Sequence, residues 1–371
     1  METVLVTGGA GFIGSNIAEK LLSEGYAVIV LDDLSTGYKN NINHLLHDSR
    51  FKFIEGSILD SGLLRSIIKL NNVSLISHQA AIPSVEKSII NPMKTIETNI
   101  TGTTNLFDIA SQRGCKRIVF ASSCSIYGDT RELPIRESFP FNSKSPYAAS
   151  KAANEMLAAV FSGLYDMRII GLRYFNVYGR RQNPASDYAA VIPRFITKAL
   201  ANEAIPIEGD GMQTRDFIYI DDVVQANIKA LTGKDVPGTV FNIACGKQTS
   251  ILGLANMIIG ITGSRSGIVY LSPRPGDVRD SLADIENARN HLDYTPRYDM
   301  KSGLVKTVDW FKHALAFRAH SDHTGHKIDY IPPCMSKVGA MGDLKIEKIP
   351  FKPSSPIKSF EDKFPKGDAA Y

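Results

Sequence analysis

The sequence predicts an α/β fold, a doubly wound parallel sheet with a smaller mixed α/β domain beside it. Three observations predict this. Short apolar strands alternate with amphipathic helices over residues 1–172, a glycine-rich turn follows the first strand, and the alternation then gives way to a proline-interrupted region. Apolar strands joined by helices are typical of parallel sheets covered on both faces. Right-handed crossovers then give the Rossmann type of sheet.

The individual elements follow from composition and periodicity. Six short, apolar, β-branched segments are predicted strands: Thr3–Thr7, Ala27–Asp32, Phe51–Glu55, Val73–His78, Arg117–Ser122 and Arg168–Tyr174. Four segments between them have apolar residues at helical spacing: Ile13–Leu22, Leu63–Leu70, Ile96–Ala110 and Tyr147–Leu164. A last amphipathic helix is predicted over Val305–Ala316.

Three domains are predicted. Residues 1–172 form the dinucleotide-binding domain, which the chain re-enters at about 214–245, and the rest of 173–318 forms the smaller domain. Residues 319–371 are predicted to be a poorly packed C-terminal extension, because they are rich in proline and lysine and have no long periodic segment.

Composition excludes several classes of protein. The 371 residues are 43% hydrophobic and 22% charged, which are ordinary globular values, and the net charge of +4 is too small to indicate a nucleic acid or a membrane surface as partner. The sequence has no apolar run long enough for a membrane helix and no secretory signal. Its four cysteines form no CxxC pair, so we expect reduced thiols, a cytoplasmic location and no metal site. The spaced histidines His320, His323 and His326 are interpreted as a solvated linker.

A phosphate-binding turn follows the first strand. Gly8, Gly11 and Gly14 have the spacing G-x-x-G-x-x-G and lead directly into a helix. Glycines let the backbone turn tightly and approach a pyrophosphate, and the helix N-terminus favours negative charge. Asp32 ends the second strand, where a carboxylate accepts from both hydroxyls of an adenosine ribose and repels a 2′-phosphate. The pattern predicts NAD as cofactor.

A second motif predicts proton transfer. Tyr147 and Lys151 lie four residues apart and so share one face of a helix. The lysine ammonium is expected to lower the pKa of the tyrosine, which makes it a candidate base. Ser123 lies at the end of the fifth strand, at the sheet edge where ligands of such folds bind, and is a candidate helper hydroxyl.

These motifs resemble those of the extended short-chain dehydrogenase/reductase superfamily, and within it the UDP-hexose 4-epimerases, from about Thr3 to about Trp310. Four segments carry the closer resemblance: Ser-Pro-Tyr-Ala-Ala-Ser-Lys at 145–151, Arg-Tyr-Phe-Asn-Val-Tyr-Gly at 173–179, Thr-Arg-Asp-Phe-Ile-Tyr-Ile-Asp-Asp at 214–222 and Arg-Pro-Gly-Asp at 274–277.

The resemblance implies roles for individual residues. Ser123, Tyr147 and Lys151 are the implied catalytic residues. The implied cofactor contacts are Gly8, Gly11, Phe12, Ile13, Gly14, Asp32, Ser57, Ile58, Gln79, Ala80, Asn99, Tyr147, Lys151 and Tyr174. The implied substrate contacts are Ser84, Ser123, Ser125, Asn176, Val191, Arg215, Arg274, Asp277 and Ser281. Ser57 replaces the acid that relatives commonly place there to meet the adenine amino group.

The implied reaction is NAD-dependent 4-epimerisation of a UDP-sugar through a transient 4-keto sugar. Dehydratases of this scaffold usually have an Asp-Glu pair after the helper hydroxyl, whereas this chain has Cys124 and Ser125. A uronate-specific epimerase stays open because Arg180 and Arg181 offer cations for a sugar carboxylate. A non-catalytic NAD-binding sensor is the remaining alternative.

The sugar is predicted from one position. Relatives with a bulky tyrosine after the Arg-Pro-Gly-Asp motif act on plain hexoses, and a small residue leaves room for an N-acetyl group; here that residue is Ser281. Together with the similarity of residues 180–184 to acetyl-sugar epimerases, this favours UDP-N-acetylglucosamine as substrate, with UDP-glucose and the acetylhexosaminuronate as alternatives. The resemblance also implies a homodimer and a role in polysaccharide biosynthesis. Strict or dual specificity, the glycan pathway and the role of the tail stay open.

Overall fold

The computed structural model describes residues 1–115, 117–184, 190–233, 240–273 and 278–324, with the main chain alone for 315–324. Twelve strands lie in the described residues: β1 (Thr3–Thr7), β2 (Ala27–Asp32), β3 (Phe51–Glu55), β4 (Val73–His78), β5 (Arg117–Ser123), β6 (Arg168–Tyr174), β7 (Asn176–Tyr178), β8 (Ile205–Glu208), β9 (Thr214–Tyr219), β10 (Val240–Ile243), β11 (Gln248–Ser250) and β12 (Ile268–Leu271).

Eleven α-helices lie in the same residues: α1 (Phe12–Ser23), α2 (Ser61–Leu70), α3 (Val85–Ile90), α4 (Pro92–Ile96), α5 (Gly102–Gln112), α6 (Pro146–Tyr165), α7 (Val191–Leu200), α8 (Ile220–Thr232), α9 (Ile251–Thr262), α10 (Glu286–Leu292) and α11 (Met300–Thr324). None of these helices is long and apolar enough to cross a membrane.

Seven strands form the large sheet, in the order β3-β2-β1-β4-β5-β6-β10, and all neighbours are parallel. The strand order reverses between β1 and β4. In such sheets the ligand crevice lies at the carboxyl ends of the strands at this reversal. The predicted doubly wound sheet is therefore confirmed, and its six predicted strands have the expected bounds, except that β5 continues by one residue to Ser123.

Two predicted helices differ from the structure. The segment predicted as one helix over Ile96–Ala110 is preceded by the short α4, which begins at Pro92, and passes through a wide π-helical turn at Glu97–Thr101 before α5. The last helix begins earlier than predicted, because the Asp299 side chain accepts from the Ser302 N–H (2.8 Å) and caps the helix start. Its main chain continues to Thr324, beyond the predicted end.

The second half of the chain forms two small sheets. β7 and β9 are parallel and β11 pairs antiparallel with β9, while β8 and β12 form a separate parallel pair. The second half of the chain also contributes to the large sheet. Helix α8 packs against β4, β5 and β6, and β10 is the seventh strand, at the edge beside β6.

The large sheet is packed on both faces. Val4 and Val6 of β1 belong to one buried apolar cluster and Leu5 to the other. Because successive side chains of a strand point to opposite faces, this alternation shows that both faces are covered.

Candidate functional site

The glycine turn after β1 leaves no room for side chains. A Cβ on Gly14 would lie 2.2 Å from the Gly8 carbonyl oxygen, and one on Gly8, whose φ is +67°, would lie 2.6 Å from the Ala80 nitrogen. Helix α1 begins directly after Gly11, and no described side chain caps its first turn. The N–H groups of that turn, at Phe12 and Ile13, are therefore available to an anion.

Asp32 lies buried beside this turn at the end of β2. Its carboxylate accepts from the N–H groups of Ala10 (2.9 Å) and Leu34 (2.8 Å), which fix its orientation. Burial raises the pKa of Asp32, and these two hydrogen bonds act against that shift. The glycine cradle, the uncapped helix and the adjacent fixed carboxyl group together fit the pyrophosphate and ribose of NAD.

Three other predicted cofactor residues lie at or just after the carboxyl ends of β3, β4 and β6: Ser57, Gln79 and Tyr174. Ser57 accepts from the Leu59 N–H through its hydroxyl (3.2 Å). Gln79 bonds to Asn227 (3.2 Å) and accepts from the Tyr174 hydroxyl (3.2 Å), so β4, β6 and α8 meet there. The side chain of Ile58 is buried in the core.

Asn99 holds the segment that follows β4. Its side chain accepts from the Ile82 N–H (2.8 Å) and donates to the Ser150 hydroxyl (3.0 Å). It lies in the wide π-helical turn, which places a buried polar side chain between this segment and helix α6. The segment leads to Ser84, which caps α3 by accepting from the Lys87 N–H (3.1 Å).

The three predicted catalytic residues lie together. Ser123 ends β5, and Tyr147 and Lys151 lie on successive turns of α6. The Lys151 Nζ is 5.8 Å from the centroid of the Tyr147 ring and donates to the Ala121 carbonyl (2.7 Å), two residues before Ser123. The lysine is 4% exposed.

The expected effect of Lys151 on the pKa of Tyr147 is wrong for this protein without its cofactor. Burial raises the pKa of Tyr147 to about 12, and a hydrogen bond with Ser123 acts in the opposite direction. Burial also lowers the pKa of Lys151 to about 8. Burial therefore sets the direction of the Tyr147 pKa shift and favours the neutral phenol.

A cavity of about 290 Å³ lies next to α3, on the side of the predicted substrate residues. Its lining includes three of them: Asn176, Val191 and Arg215. Asn176 donates to the Asp216 carbonyl (3.2 Å), and Arg215 donates to the Thr214 carbonyl (2.8 Å). The predicted residues Arg274 and Asp277 lie outside the described residues.

Ser125 and Ser281 differ in how they are held. The hydroxyl of Ser125 is buried without a hydrogen-bond partner among the described residues, so it is free to meet a ligand. Ser281 is buried in a segment that is fixed on both sides. Before it, Asp280 accepts from the Thr214 hydroxyl (2.6 Å), and after it the Ala283 N–H donates to Asp216 (3.2 Å).

Arg180 and Arg181 do not line this cavity. Arg180 pairs with Glu19 (3.2 Å) and Asp221 (3.0 Å), and Arg181 pairs with Glu19 (3.0 Å). The cations proposed for a sugar carboxylate thus bind carboxylates of the protein.

Several residues of the site were not predicted from the sequence. Arg194, Glu208 and Gln213 line the cavity, and the first two form a two-pronged ion pair (2.9 and 3.0 Å). His78 is buried behind the glycine turn, between the hydroxyls of Thr7 and Thr103. These residues are scattered along the chain and match no local motif; only the fold brings them together.

Comparison with known families and proteins agrees with this geometry. The model of the NAD dependent epimerase/dehydratase family matches residues 4–244. A putative UDP-glucose 4-epimerase of Methanocaldococcus jannaschii is 41% identical over 310 residues, which are 83% of this chain and 98% of that protein. A UDP-glucuronate 4-epimerase of Thermodesulfobacterium geofontis is 36% identical over 319 residues, which are 84% of this chain and 97% of that protein.

Solved structures give the same picture. A UDP-glucose 4-epimerase of Thermotoga maritima with UDP-glucose has a TM-score of 0.80 at 37% identity and covers 84% of this chain and 99% of that one. A UDP-N-acetylglucosamine 4-epimerase of Methanobrevibacter ruminantium in complex with UDP-N-acetylmuramic acid has the same score and identity, covering 84% and 98%. A UDP-glucose 4-epimerase of Thermus thermophilus in complex with NAD has a TM-score of 0.75 at 34% identity, covering 84% and 99%.

Proposed function

The chain belongs to the NAD-dependent epimerase/dehydratase family, with NAD as its cofactor, and from this premise we propose that it is a UDP-sugar 4-epimerase that interconverts UDP-N-acetylglucosamine and UDP-N-acetylgalactosamine. One observation carries the proposal. Ser123, Tyr147 and Lys151 lie together at the carboxyl end of β5, on the same edge of the sheet as the glycine turn that fits the cofactor.

In the proposed reaction, the Tyr147 oxygen accepts the proton of the sugar 4-hydroxyl. The Ser123 hydroxyl shares a hydrogen bond with Tyr147 and orients the same sugar oxygen. NAD, when bound, supplies a hydride acceptor and donor together with a positive charge that favours the phenolate. Lys151, held on the Ala121 carbonyl, keeps its ammonium beside the tyrosine ring.

Epimerisation then needs a nucleotide that is held firmly and a sugar that is held loosely. Arg215 offers a guanidinium for the diphosphate and Asn176 an amide beside it, and both line the cavity. After the 4-keto sugar has turned over, the opposite face of C4 would meet the hydride donor, and Tyr147 returns the proton to the 4-oxygen.

The residues after Ser123 disfavour the rival dehydration. Elimination of water needs a carboxyl acid–base pair, and Cys124 and Ser125 hold those places. Burial raises the pKa of the Cys124 thiol to about 12, so it is no substitute for a carboxylic acid at neutral pH.

The choice of sugar rests on the small size of Ser281. Its segment is held by a hydrogen bond from Thr214 to the Asp280 carboxylate and by one from the Ala283 N–H to Asp216. The solved UDP-N-acetylglucosamine 4-epimerase at 37% identity supports this choice. The ion pairs of Arg180 and Arg181 with Glu19 argue against a uronate substrate, because a sugar carboxylate would have to displace a protein carboxylate.

A product assay tests the proposal. Pure protein with NAD is incubated with UDP-N-acetylglucosamine, UDP-glucose and UDP-N-acetylglucosaminuronate in separate reactions, and products are separated by anion-exchange chromatography. We expect UDP-N-acetylgalactosamine to form fastest. Preferred turnover of another sugar would correct the substrate, and turnover of none would support an NAD-binding sensor.

We further propose a homodimer that acts in the cytoplasm, in polysaccharide biosynthesis. Helix α6 exposes Met156, Val160 and Leu164 at every fourth residue, and Ile89 and Met93 of the adjoining helices are exposed near them. The three described free cysteines are compatible with a reducing compartment.

Sedimentation velocity tests the dimer. Val160→Glu should give a monomer, whereas the control Val269→Glu, at an exposed position of β12, should leave the dimer intact. A monomeric unmodified protein would contradict the proposal.

A further inference from the structure

A buried ion pair lies behind the proposed catalytic residues. Glu155 is one helical turn after Lys151 on α6, and Arg173 lies on β6; they are 5% and 3% exposed. The guanidinium donates to both carboxylate oxygens, through Nε (3.0 Å) and Nη2 (2.7 Å). Buried pairs of this kind often contribute no net stability compared with apolar residues of the same volume, so their presence calls for another reason.

Glu155 holds the end of β5. Its Oε1 accepts a short hydrogen bond from the Ser122 hydroxyl. Ser122 lies between Ala121, whose carbonyl accepts from Lys151, and Ser123, the proposed helper hydroxyl. A single carboxylate therefore fixes the residue between both of these contacts.

Glu155 also acts on the charge of Lys151. Burial lowers the pKa of Lys151, and the negative charge of Glu155 acts in the opposite direction. The other titratable groups that face Lys151 are Tyr147 on the same helix and His78 on β4, and His78 is neutral because burial lowers its pKa to about 3. Glu155 is thus the nearby carboxylate that favours the ammonium form.

Arg173 in turn fixes Glu155 and connects it to the substrate side. Its Nη1 donates to the Tyr127 hydroxyl (2.6 Å), which donates to the Asn242 side chain (2.6 Å). The Asn242 amide donates to the carbonyl of Asp284 (3.1 Å), three residues after Ser281. The network therefore extends from the catalytic helix to the segment that carries the proposed sugar contact.

We propose that Glu155 and Arg173 are positioning residues of the catalytic centre. Glu155 holds the carboxyl end of β5 and faces the Lys151 ammonium, and Arg173 orients Glu155. Neither touches substrate or cofactor. This inference rests on the proposed function for its effect on turnover, but its effect on Lys151 is independent of any substrate.

The test uses Glu155→Gln in the NAD-bound protein. Glutamine retains the size and still accepts from Ser122, but it has no charge. We expect the pKa of Lys151, followed by NMR with ¹³C-labelled lysine, to be lower in this variant than in the unmodified NAD-bound protein, because the negative charge of Glu155 raises it. We also expect kcat to fall about tenfold or more, with little change in KM. An unchanged Lys151 pKa would overturn the proposal. This readout needs no substrate, so it is decisive even if the protein turns over no UDP-sugar.

A double variant separates positioning from folding. Glu155→Leu with Arg173→Met removes both charges and leaves neither unpaired, so the melting temperature should stay close to that of the unmodified protein. We expect the Lys151 pKa and kcat to be lowered in this folded protein as well. Normal values of both in the double variant would overturn the proposal, because they would show that the pair has only a structural role.

Discussion

The cofactor side and the substrate side of the site are built by different means. The cofactor side is formed mainly by main-chain atoms. They belong to the glycine turn, the start of α1 and the N–H groups that hold Asp32. On the substrate side, side chains from β7, α7, β8 and β9 line the cavity, and the strands are short.

This difference has a consequence for substitution. A surface made of main chain tolerates no added atom, but it binds any dinucleotide of the right shape and charge. A surface made of side chains is retuned by single substitutions, which fits a family in which similar proteins bear the names of several sugars. Substitutions on the cofactor side should therefore abolish NAD binding, whereas substitutions on the substrate side should change which sugar is turned over.

Gly14→Ala should have the largest effect. The new Cβ would lie 2.2 Å from the Gly8 oxygen, and the backbone would have to move where the pyrophosphate binds. We expect loss of bound NAD, measured by absorbance after denaturation, and loss of all turnover. Gly163→Ala on α6 is the matched control, because a Cβ there meets nothing within 4 Å. Normal NAD content in Gly14→Ala would show that the turn does not hold the cofactor.

Tyr147→Phe should stop the reaction and leave the cofactor side intact. It removes one oxygen from a half-buried ring and leaves the glycine turn intact. We expect normal NAD content and a loss of kcat of about 10²- to 10⁴-fold, which is typical for removal of a general base. Single-turnover kinetics with UDP-sugar checks this. Near-normal activity would remove Tyr147 as the base.

Ser281→Tyr should change the substrate side alone. The larger ring takes the space proposed for the N-acetyl group, so we expect turnover of UDP-N-acetylglucosamine to be abolished and that of UDP-glucose to be spared. The ratio of the two kcat/KM values is the measurement, with NAD content as control. An equal loss of both activities would contradict the role of Ser281.

His78 should show the smallest effect, on stability. The Thr103 hydroxyl donates to the Asn99 carbonyl (2.6 Å), so it accepts from the His78 Nε2, and the Nδ1 accepts from Thr7 (2.6 Å). The ring is therefore neutral, and burial lowers its pKa to about 3.

The direction of the pH effect follows from this. Between pH 3 and 6.5 the unfolded chain binds the proton and the folded chain does not, so stability falls as the pH is lowered, by at most about 1.4 kcal/mol per pH unit from this group. His78→Gln should reduce this slope in urea unfolding, and His291→Gln, at an exposed position, should not. Equal slopes in all three proteins would contradict a neutral buried His78.

The cofactor side was also the more predictable one. The glycine turn and the six strands depend on local sequence, because the tight turn and the apolar period act within a few residues. The family itself followed from the motifs around Tyr147 and Arg215. By contrast, Glu155, Arg173 and the lining residues Arg194 and Gln213 are brought together only by the fold. The pKa of Tyr147 was predicted in the wrong direction, because burial raises it and burial is not visible in a spacing of four residues.

In the proposed reaction, the same C4 hydrogen leaves the sugar and returns to it during epimerisation. The direct test incubates UDP-N-acetylglucosamine carrying deuterium at C4 with the pure NAD-bound protein in ordinary water, and measures the product by mass spectrometry and NMR. We predict UDP-N-acetylgalactosamine with deuterium retained at C4, over many turnovers per bound NAD. Loss of the deuterium to water, or no epimer from any UDP-sugar, would contradict the account.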